Sequence, residues 1–216
     1  MEIPGTPGDA KRIVEEGYDR IAETYRDWAA HGPSDMRIRY TDLLRAALPP
    51  GATLLELGCG TGEPMTRRLA ARFHVTGVDL SARHIALAQA AIPQATFIQA
   101  DMAAVDFPPS SFDAVAAFYS IIHVPREEHG DLLGRIAGWL RPGGLLVATM
   151  GANDTPAGVE ADWLGAPMYR SHFDSATNRG LVTAAGLELL ESREETEDED
   201  CTPVTFLWVV ARKPGG

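Results

Sequence analysis

The feature that most constrains this chain is a short apolar segment that runs into a glycine-rich turn. Residues 53–57 are largely apolar, residues 58–62 read Gly-Cys-Gly-Thr-Gly, and residues 64–73 follow with a helical pattern. Glycine has no Cβ and tolerates positive φ, so a turn of alternating glycines lets the main chain approach a ligand closely. The order of strand, glycine turn and helix predicts a βα unit of an α/β sheet that binds a cofactor through its backbone.

Strand-like segments continue to alternate with helical ones after this turn. Four further apolar runs of strand length lie at residues 75–79, 96–99, 112–119 and 145–150. Helical patterns between them begin after Ser81, which can cap a helix, and at Arg126. This spacing favours a parallel sheet with helices on both faces. The last two runs, residues 187–192 and 204–211, have no helix between them and therefore pair antiparallel or lie apart.

The segments that flank this core are expected to cover a ligand. We expect a single domain over residues 1–216, with lid helices over about residues 9–48 and an irregular substrate-side insertion over about residues 151–172. Steps of four and three residues place one stripe on a single face of the first helix: Val14, Tyr18, Ile21, Tyr25 and Trp28. The stripe is as consistent with docking onto the core as with contact to a cofactor.

Charge and cysteine content exclude several classes of partner. Thirty Asp and Glu against nineteen Lys and Arg give a net charge of −11, which disfavours nucleic acid and anionic membranes. Cys59 and Cys201 are too few for a disulfide framework or a thiolate metal cluster. No apolar run approaches the roughly 20 residues of a spanning helix, and the first residues lack the pattern of a signal peptide. The sequence predicts a soluble, cytoplasmic protein without a nucleic-acid or membrane partner.

The densest run of acids lies near the C-terminus. Residues 191–200 hold seven acids and one Arg, a charge of −6. The stretch over residues 194–200 is expected to be a solvated turn between the last two strands, where charge discourages pairing at the sheet edge. Attraction of a cationic partner is the alternative interpretation.

Three acids mark the ends of the first three predicted strands: Glu56, Asp79 and Asp101. Ligands of open α/β sheets bind beyond the carboxyl ends of the strands. A carboxylate after the second strand suits a ribose diol, and one after the third suits an adenine amine. The dinucleotide fingerprint requires glycine at the position that Glu63 occupies, which argues against a nicotinamide oxidoreductase. Carboxylates favour instead a ligand that carries positive charge.

Four motifs together resemble those of the class I S-adenosylmethionine-dependent methyltransferases. They are Glu-Leu-Gly-Cys-Gly-Thr-Gly at residues 56–62, Gly-Val-Asp-Leu-Ser at 77–81, Ala-Asp-Met at 100–102 and Leu-Arg-Pro-Gly-Gly at 140–144. The resemblance implies a Rossmann-like, doubly wound α/β fold with a mostly parallel seven-stranded sheet and an antiparallel C-terminal strand. It further implies S-adenosylmethionine as the cofactor and a small-molecule methyl acceptor as the partner. Direct in-line methyl transfer is expected, with O- or N-methylation favoured and S- or C-methylation possible.

The same resemblance implies a set of residues in contact with the cofactor. In the family the glycine turn lies under the methionine part, the second-strand acid holds the ribose, and the acid of the third motif and its neighbour hold the adenine. The expected contacts in this chain are Tyr18, Tyr25, Glu56, Gly58, Gly60, Gly62, Asp79, Leu80, Asp101, Met102, Phe118 and Tyr119. The two tyrosines of the first helix are similar to lid tyrosines of small-molecule members of the family.

Two histidines are candidates for a catalytic base. His123 follows the fourth strand and His172 lies in the insertion, and imidazole accepts protons near neutral pH. A hydrogen-bonded histidine in the core is the alternative for His123. The other histidines are expected at the surface or at helix ends: His31, His74, His84 and His129. Residues proposed from position alone to wall an apolar or aromatic acceptor are Phe118, Trp163, Met168 and Tyr169.

No metal site is expected. A metal-dependent catechol-type enzyme would need an acid after strand four, where this chain has Tyr119 and Ser120, and an Asp-Asn pair after strand five, where Asn153 and Asp154 come in reversed order. A non-catalytic module that binds S-adenosylmethionine, with a regulatory or scaffold role, is the alternative to an enzyme, because cofactor motifs can persist without activity.

Overall fold

The computed structural model describes residues 5–31, 35–199 and 202–215. The helices of this part of the chain are α1 (Pro7–His31), α2 (Asp35–Ala47), α3 (Met65–Ala70), α4 (Ala82–Ala91), α5 (His129–Trp139) and α6 (Ser175–Ala184). Its strands are β1 (Thr53–Leu57), β2 (His74–Asp79), β3 (Thr96–Gln99), β4 (Phe112–Ala117), β5 (Leu140–Gly151), β6 (Thr155–Trp163), β7 (Ala166–His172), β8 (Glu188–Glu199) and β9 (Thr202–Arg212). None of the described helices combines the length and apolar character that crossing a bilayer requires.

Seven of these strands form one sheet in the order β3-β2-β1-β4-β5-β9-β8. Neighbours from β3 to β5 pair in parallel, whereas β9 is antiparallel to both β5 and β8. The predicted doubly wound, mostly parallel sheet with an antiparallel C-terminal strand is therefore confirmed. The chain leaves β1 toward β2 and β3 and then returns to add β4 on the other side, so the strand order reverses between β1 and β4. A ligand crevice is expected at that switch point.

Both faces of the sheet are buried under helices. On β1, Leu55 and Leu57 are completely buried in a layer that includes Ile136 of α5. Leu54 faces the other layer, where it packs with Leu69 of α3. Because side chains alternate along a strand, one short apolar strand supplies both cores.

The insertion expected to be irregular is a β-hairpin, so that expectation was wrong. Strands β6 and β7 pair antiparallel, and Trp163 lies opposite Ala166. The two residues between them, Leu164 and Gly165, both have positive φ (55° and 100°). That backbone matches the tight hairpin turns usually signalled by Asn-Gly or Asp-Gly. Because a leucine occupies the first turn position, the sequence did not indicate a hairpin here.

The acidic stretch expected to be a turn belongs largely to strand β8, which is a second correction. Strand β8 runs to Glu199 and pairs with β9 along its length, ending with Glu199 opposite Thr202. The apolar strand β9 provides the backbone hydrogen-bonding partners of β8. The acids therefore lie on the outermost strand of the sheet, where their charge opposes pairing with a further strand. Arg39 of α2 approaches Glu191 to 3.0 Å and Glu195 to 3.6 Å. The last acid of the stretch and Cys201 lie outside the described residues.

Helix α1 docks on the hairpin rather than on the main sheet. Val14 and Ile21 are buried in a cluster with Met168 and Tyr169 of β7. A Cβ on Gly17 would lie 2.7 Å from the carbonyl oxygen of Pro167, so the helix backbone touches the hairpin there. The helix and the hairpin together form a cover over the carboxyl ends of the parallel strands.

Candidate active site

The glycine turn brings the ends of β1 and β4 into contact. Gly58 has φ of +75°, and a Cβ built on it would lie only 2.2 Å from the Cβ of Ser120. The hydroxyl of Ser120 donates to the carbonyl oxygen of Leu57 at 2.7 Å. Gly62 is also left-handed, but its missing side chain admits Ile92 of α4, at 2.7 Å from a built Cβ. Gly58 therefore preserves the crevice, whereas Gly62 preserves helix packing.

Asp79 lies at the end of β2 as a fixed, buried carboxylate. It is 8% exposed, and its two oxygens accept the backbone N–H groups of Gly60 at 2.8 Å and Ser81 at 2.9 Å. Burial alone would raise the pKa of Asp79, but the neighbouring His84 ring and the two N–H donors outweigh burial and hold the pKa below its ordinary value. The carboxylate is thus negative near neutral pH and already oriented.

A cavity of about 430 Å³, here called the turn cavity, opens beside the glycine turn and Asp79. The predicted cofactor contacts that line it are Tyr18, Tyr25, Gly58, Gly60, Asp79, Leu80, Met102, Phe118 and Tyr119. Residues from α1, β2 and the segments after β3 and β4 thus meet at the carboxyl edge of the sheet, as the spacing of the motifs predicted.

Glu56 lies behind the turn instead of lining the turn cavity. It is 3% exposed, and its carboxylate accepts the hydroxyl of Thr66 at 2.6 Å. Burial raises the pKa of Glu56 to about 7, although the Thr66 hydrogen bond works in the opposite direction. The hydrogen bond joins β1 to the start of α3, which gives this acid a packing role in the structure.

Asp101 lies at the far end of the crevice and already has a cation beside it. It lines an adjoining pocket of about 340 Å³ together with Leu80 and Met102. The ammonium of Lys11, on α1, is 2.7 Å from one oxygen of Asp101 and 2.5 Å from Glu128. The predicted adenine acid is therefore connected to the lid helix, a contact that the sequence motif did not indicate.

A second cavity of about 610 Å³ lies next to the first and is here called the aromatic cavity. Its walls come from helices α1 and α2, the segment after β4, the hairpin, and strands β8 and β9. The lining residues are Tyr18, Tyr25, Trp28, Arg37, Tyr119, Ile122, His123, Trp163, Arg170, Glu197 and Phe206. Four of these residues also line the turn cavity: Tyr18, Tyr25, Tyr119 and His123.

His123 lies on the wall that the two cavities share. Its Nδ1 is 2.8 Å from the carbonyl oxygen of Tyr169, and its Nε2 is 2.9 Å from the hydroxyl of Tyr18. A carbonyl only accepts, so Nδ1 carries the proton and Nε2 accepts the Tyr18 O–H. Burial lowers the pKa of His123 to about 4, which keeps the ring neutral at physiological pH. In contrast, the Nδ1 of His172 contacts the carbonyl oxygen of Asn153 at 2.8 Å, and His172 lines neither cavity.

Sequence reasoning placed two histidines correctly at helix ends but overlooked charged residues of the aromatic cavity. His84 lies in the first turn of α4 and His129 begins α5, which agrees with the expected surface or helix-end positions, although each is only 1% exposed. Ser81 caps α4 by accepting the His84 N–H at 3.0 Å, which places that residue in the first turn, where it lines the turn cavity. The N-cap serine was the available signal. The overlooked charged residues of the aromatic cavity are Arg37, Arg170 and Glu197.

Only one of the four residues that were expected to surround an acceptor lines the aromatic cavity. Trp163 lines it, and Phe118 lines the turn cavity. Met168 and Tyr169 are buried beneath α1. Helix α1 packs against β7, which keeps these two residues away from the cavity wall.

Known proteins resemble this chain in sequence. Residues 54–144 match the family model described as a methyltransferase domain. The 27-O-demethylrifamycin SV methyltransferase of Amycolatopsis mediterranei is 37% identical over 171 residues, which cover 69% of this chain and 62% of that protein. The trans-aconitate 2-methyltransferase of an Azoarcus species is 37% identical over 119 residues, 53% of this chain and 46% of that protein. The chain thus spans about half to three fifths of the length of these relatives.

Solved structures resemble it in fold. The 1,6-didemethyltoxoflavin-N1-methyltransferase of Burkholderia thailandensis, bound to 1,6-didemethyltoxoflavin and S-adenosylhomocysteine, has a TM-score of 0.75 at 21% identity, covering 99% of this chain and 93% of that one. The [4+2]-cyclase SpnF has a TM-score of 0.73 at 20% identity and covers 99% of both chains. One fold therefore accompanies methyl transfer in one neighbour and a cyclisation in another, so fold alone does not decide activity.

The turn cavity suits the cofactor of the matched family. Its close main-chain surface exists only because Gly58 lacks a Cβ, and its wall holds the oriented carboxylate of Asp79. Main chain and carboxylate together provide the groups that an amino acid and a ribose diol require. The motif at residues 56–62 and the sheet order both agree with the family match. The chain belongs to the class I S-adenosylmethionine-dependent methyltransferases, and S-adenosylmethionine is its cofactor.

Proposed function

We propose that this chain transfers a methyl group from S-adenosylmethionine to an oxygen or nitrogen atom of a small organic acceptor bound in the aromatic cavity. The observation that carries the proposal is the shared wall: Tyr18, Tyr25, Tyr119 and His123 line both cavities. A ligand in each cavity would meet its neighbour at these residues. Oxygen and nitrogen acceptors agree with the names of a rifamycin O-methylating relative and a toxoflavin N-methylating neighbour.

The residues of the turn cavity would bind and orient the cofactor. S-adenosylmethionine supplies a methyl group already activated by a positively charged sulfur. In the proposal, the main chain at Gly58 and Gly60 contacts the methionine part and Asp79 accepts the ribose hydroxyls, whereas Asp101 and Met102 lie at the adenine end. Such fixed alignment of reactants is worth up to roughly 7–11 kcal/mol in favourable cases, which is why no covalent enzyme intermediate is needed.

Helix α1 would exclude water from this site. Asp19 of α1 accepts the hydroxyl of Ser81 at 2.5 Å and the backbone N–H of Arg83 at 3.0 Å, which fixes the helix over the start of α4. Lys11 reaches Asp101 from the same helix. A helix held at both points closes the crevice above the glycine turn, and exclusion of water strengthens electrostatic contacts inside it.

His123 suits a positioning role better than that of a strong base. Because its pKa is about 4, proton uptake near neutral pH is unfavourable. Its neutral Nε2 instead fixes the Tyr18 hydroxyl at 2.9 Å, at the junction of the two cavities. This arrangement favours an acceptor whose nucleophilic atom needs little deprotonation, such as an amine or an acidic hydroxyl. The expectation that His172 acts as a base stays a prediction, and its position outside both cavities gives it no support.

Two measurements, made one after the other, test the proposed function. Titration calorimetry with S-adenosylhomocysteine is expected to give saturable binding; absence of binding would refute the proposal. Incubation with methyl-labelled S-adenosylmethionine and a panel of phenols, amines, thiols and carboxylic acids should then yield a labelled product. Binding without transfer to any acceptor would favour the non-catalytic module instead.

A further inference from the structure

Arg37 of α2 is a buried cation that forms no close ion pair with a described carboxylate, although its charge acts on Glu56 and on Glu197 from a distance. It is 9% exposed and lines the aromatic cavity. Its Nη2 donates to the carbonyl oxygen of Ala29 at 3.2 Å, and its Nε has no acceptor among the described residues. No described carboxylate lies within ion-pairing distance of this guanidinium. Removing a charge from water without a partner is costly, so buried cations normally have one.

The other charged groups of the cavity are already engaged. Arg170 lies 3.3 Å from Glu160 and stacks over Trp163, with 5.4 Å between guanidinium carbon and ring centre. Glu197 accepts the hydroxyl of Tyr119 at 2.5 Å. These contacts distinguish Arg37 from the second arginine of the same cavity.

The surroundings of Arg37 specify the shape of a partner. Its guanidinium carbon lies 5.7 Å from the centre of the Tyr119 ring. Aromatic side chains from several elements form most of the remaining wall, among them Trp28, Trp163 and Phe206. Flat apolar walls favour a planar ring, because aromatic pairs gain from stacked or edge-to-face contact. A guanidinium adds a preference for a planar anion such as a carboxylate.

We propose that Arg37 anchors a carboxylate, or an equivalent acidic group, on a planar aromatic acceptor. The inference rests on the proposed function, because it assigns a substrate class to the same site. Arg37 lines the aromatic cavity but not the turn cavity, so the acidic group would lie on the acceptor side, next to Tyr119 of the shared wall. The overall charge of −11 repels anions at a distance, which makes a local cation more important for selecting them.

A purely structural role makes a different prediction. If Arg37 only holds the Ala29 carbonyl and balances Glu197, its replacement weakens all ligands of the cavity alike. If Arg37 binds an anion, its replacement weakens acids selectively. The ratio of affinities for an aromatic acid and its neutral amide therefore separates the two roles.

The test measures the dissociation constants of matched pairs on the full chain, with S-adenosylhomocysteine present: para-hydroxybenzoate against para-hydroxybenzamide, and a naphthoate against its naphthamide. The wild type is expected to prefer the acids. Arg37→Gln should weaken the acids by about 10- to 100-fold and leave the amides nearly unchanged. Arg37→Lys should keep part of the preference and replaces Arg37→Gln as the test variant if the latter does not fold. Arg39→Gln is the matched control, since Arg39 lies on the same helix but pairs with β8.

Three outcomes would overturn the inference. They are no binding of any acid up to its solubility limit, equal affinity of the wild type for acid and amide, and equal weakening of both by Arg37→Gln. The proposed function fails in a different way, through absent S-adenosylhomocysteine binding or absent methyl transfer. An active methyltransferase that prefers neutral acceptors would therefore refute the role of Arg37 alone.

Discussion

The turn cavity and the aromatic cavity share a wall, but the first is shaped mainly by main chain and the second mainly by side chains. The turn cavity is shaped by main chain at the carboxyl ends of parallel strands, with Gly58 and Asp79 in conformations fixed by contacts on several sides. The aromatic cavity is lined by side chains from helices, a hairpin and an outer strand that lie far apart in sequence. A backbone-built site suits a ligand common to a family, whereas side chains on peripheral elements can be exchanged without disturbing the sheet. The first cavity is expected to be intolerant of substitution and the second to be adjustable.

The largest effect is expected from Gly58→Ala in the turn cavity. The new methyl group would lie 2.2 Å from the Cβ of Ser120 at a φ of +75°, so the turn must move. Left-handed backbone alone costs a non-glycine residue roughly 1–2 kcal/mol, and the steric overlap adds to that cost. We expect the affinity for S-adenosylhomocysteine, measured by calorimetry, to fall by more than about 100-fold, equivalent to about 3 kcal/mol.

Gly143→Ala provides the matched control for this variant. Gly143 has φ of +79°, but a Cβ there meets nothing within 4 Å. Its replacement should lower the thermal stability by the backbone cost alone and leave cofactor affinity unchanged. Equal loss of affinity in both variants would contradict the claim that the turn cavity depends on local backbone shape.

A smaller effect is expected from Asp79→Asn, which keeps the shape of the side chain and removes its charge. Hydrogen bonds to a charged group are worth about 1.5–3 kcal/mol, so we expect roughly a 10- to 100-fold loss of S-adenosylhomocysteine affinity. Calorimetry at neutral pH measures this loss directly. Unchanged affinity would mean that this carboxylate serves the turn and not the ligand.

The same variant tests the charge through pH. The folded-state pKa of Asp79 is lowered, so the carboxylate adds stability above its unfolded pKa of about 4 and loses that contribution as the pH falls through the folded value. The difference in free energy of unfolding between wild type and Asp79→Asn should therefore be constant above about pH 5 and shrink below about pH 4. A difference that does not change in acid would show that the aspartate titrates normally.

The two cavities also differ in how far sequence could predict them. Gly58 and Asp79 follow contiguous motifs, because a strand, a tight turn and a helix fix them locally. Arg37 and Glu197 belong to elements separated by most of the chain, so their meeting depends on helix docking and strand order, which no local pattern records. The hairpin was missed for the related reason that its turn contains Leu164 where Asn or Asp is usual.

On the wall between the cavities, Tyr18→Phe should affect turnover more than binding. The ring remains, so S-adenosylhomocysteine affinity is expected to change less than about threefold, whereas loss of the hydroxyl fixed by His123 should lower kcat by about tenfold, the value of one hydrogen bond. With the pKa of His123 at about 4, kcat/KM should show no inflection near pH 6.5 due to this ring. An inflection there that His123→Asn abolishes, together with a loss of 100-fold or more, would assign His123 as the general base after all.

The smallest effect on ligand binding is expected from Glu56→Gln. This variant tests whether a motif residue that lies behind the turn cavity contributes to cofactor binding. Its carboxyl contacts Thr66 and lines neither cavity, so affinity for S-adenosylhomocysteine should stay within about twofold of the wild type, although the residue belongs to the glycine motif. A large loss would place Glu56 in direct contact with the cofactor.

Stability should respond to Glu56→Gln even if binding does not. Burial raises the folded-state pKa of Glu56 to about 7 from an ordinary value of 4.5, so the folded state holds a proton that the unfolded chain has released. Wild-type stability from this group therefore falls as the pH rises from 4.5 toward 7, and Glu56→Gln avoids that loss. Urea unfolding at a series of pH values should show the variant gaining up to about 3 kcal/mol relative to the wild type between pH 5 and pH 8. A constant difference in the free energy of unfolding across that range would mean that Glu56 titrates normally. The claim that Glu56 is a packing residue of the glycine motif, rather than a ligand-binding one, would then lose its support.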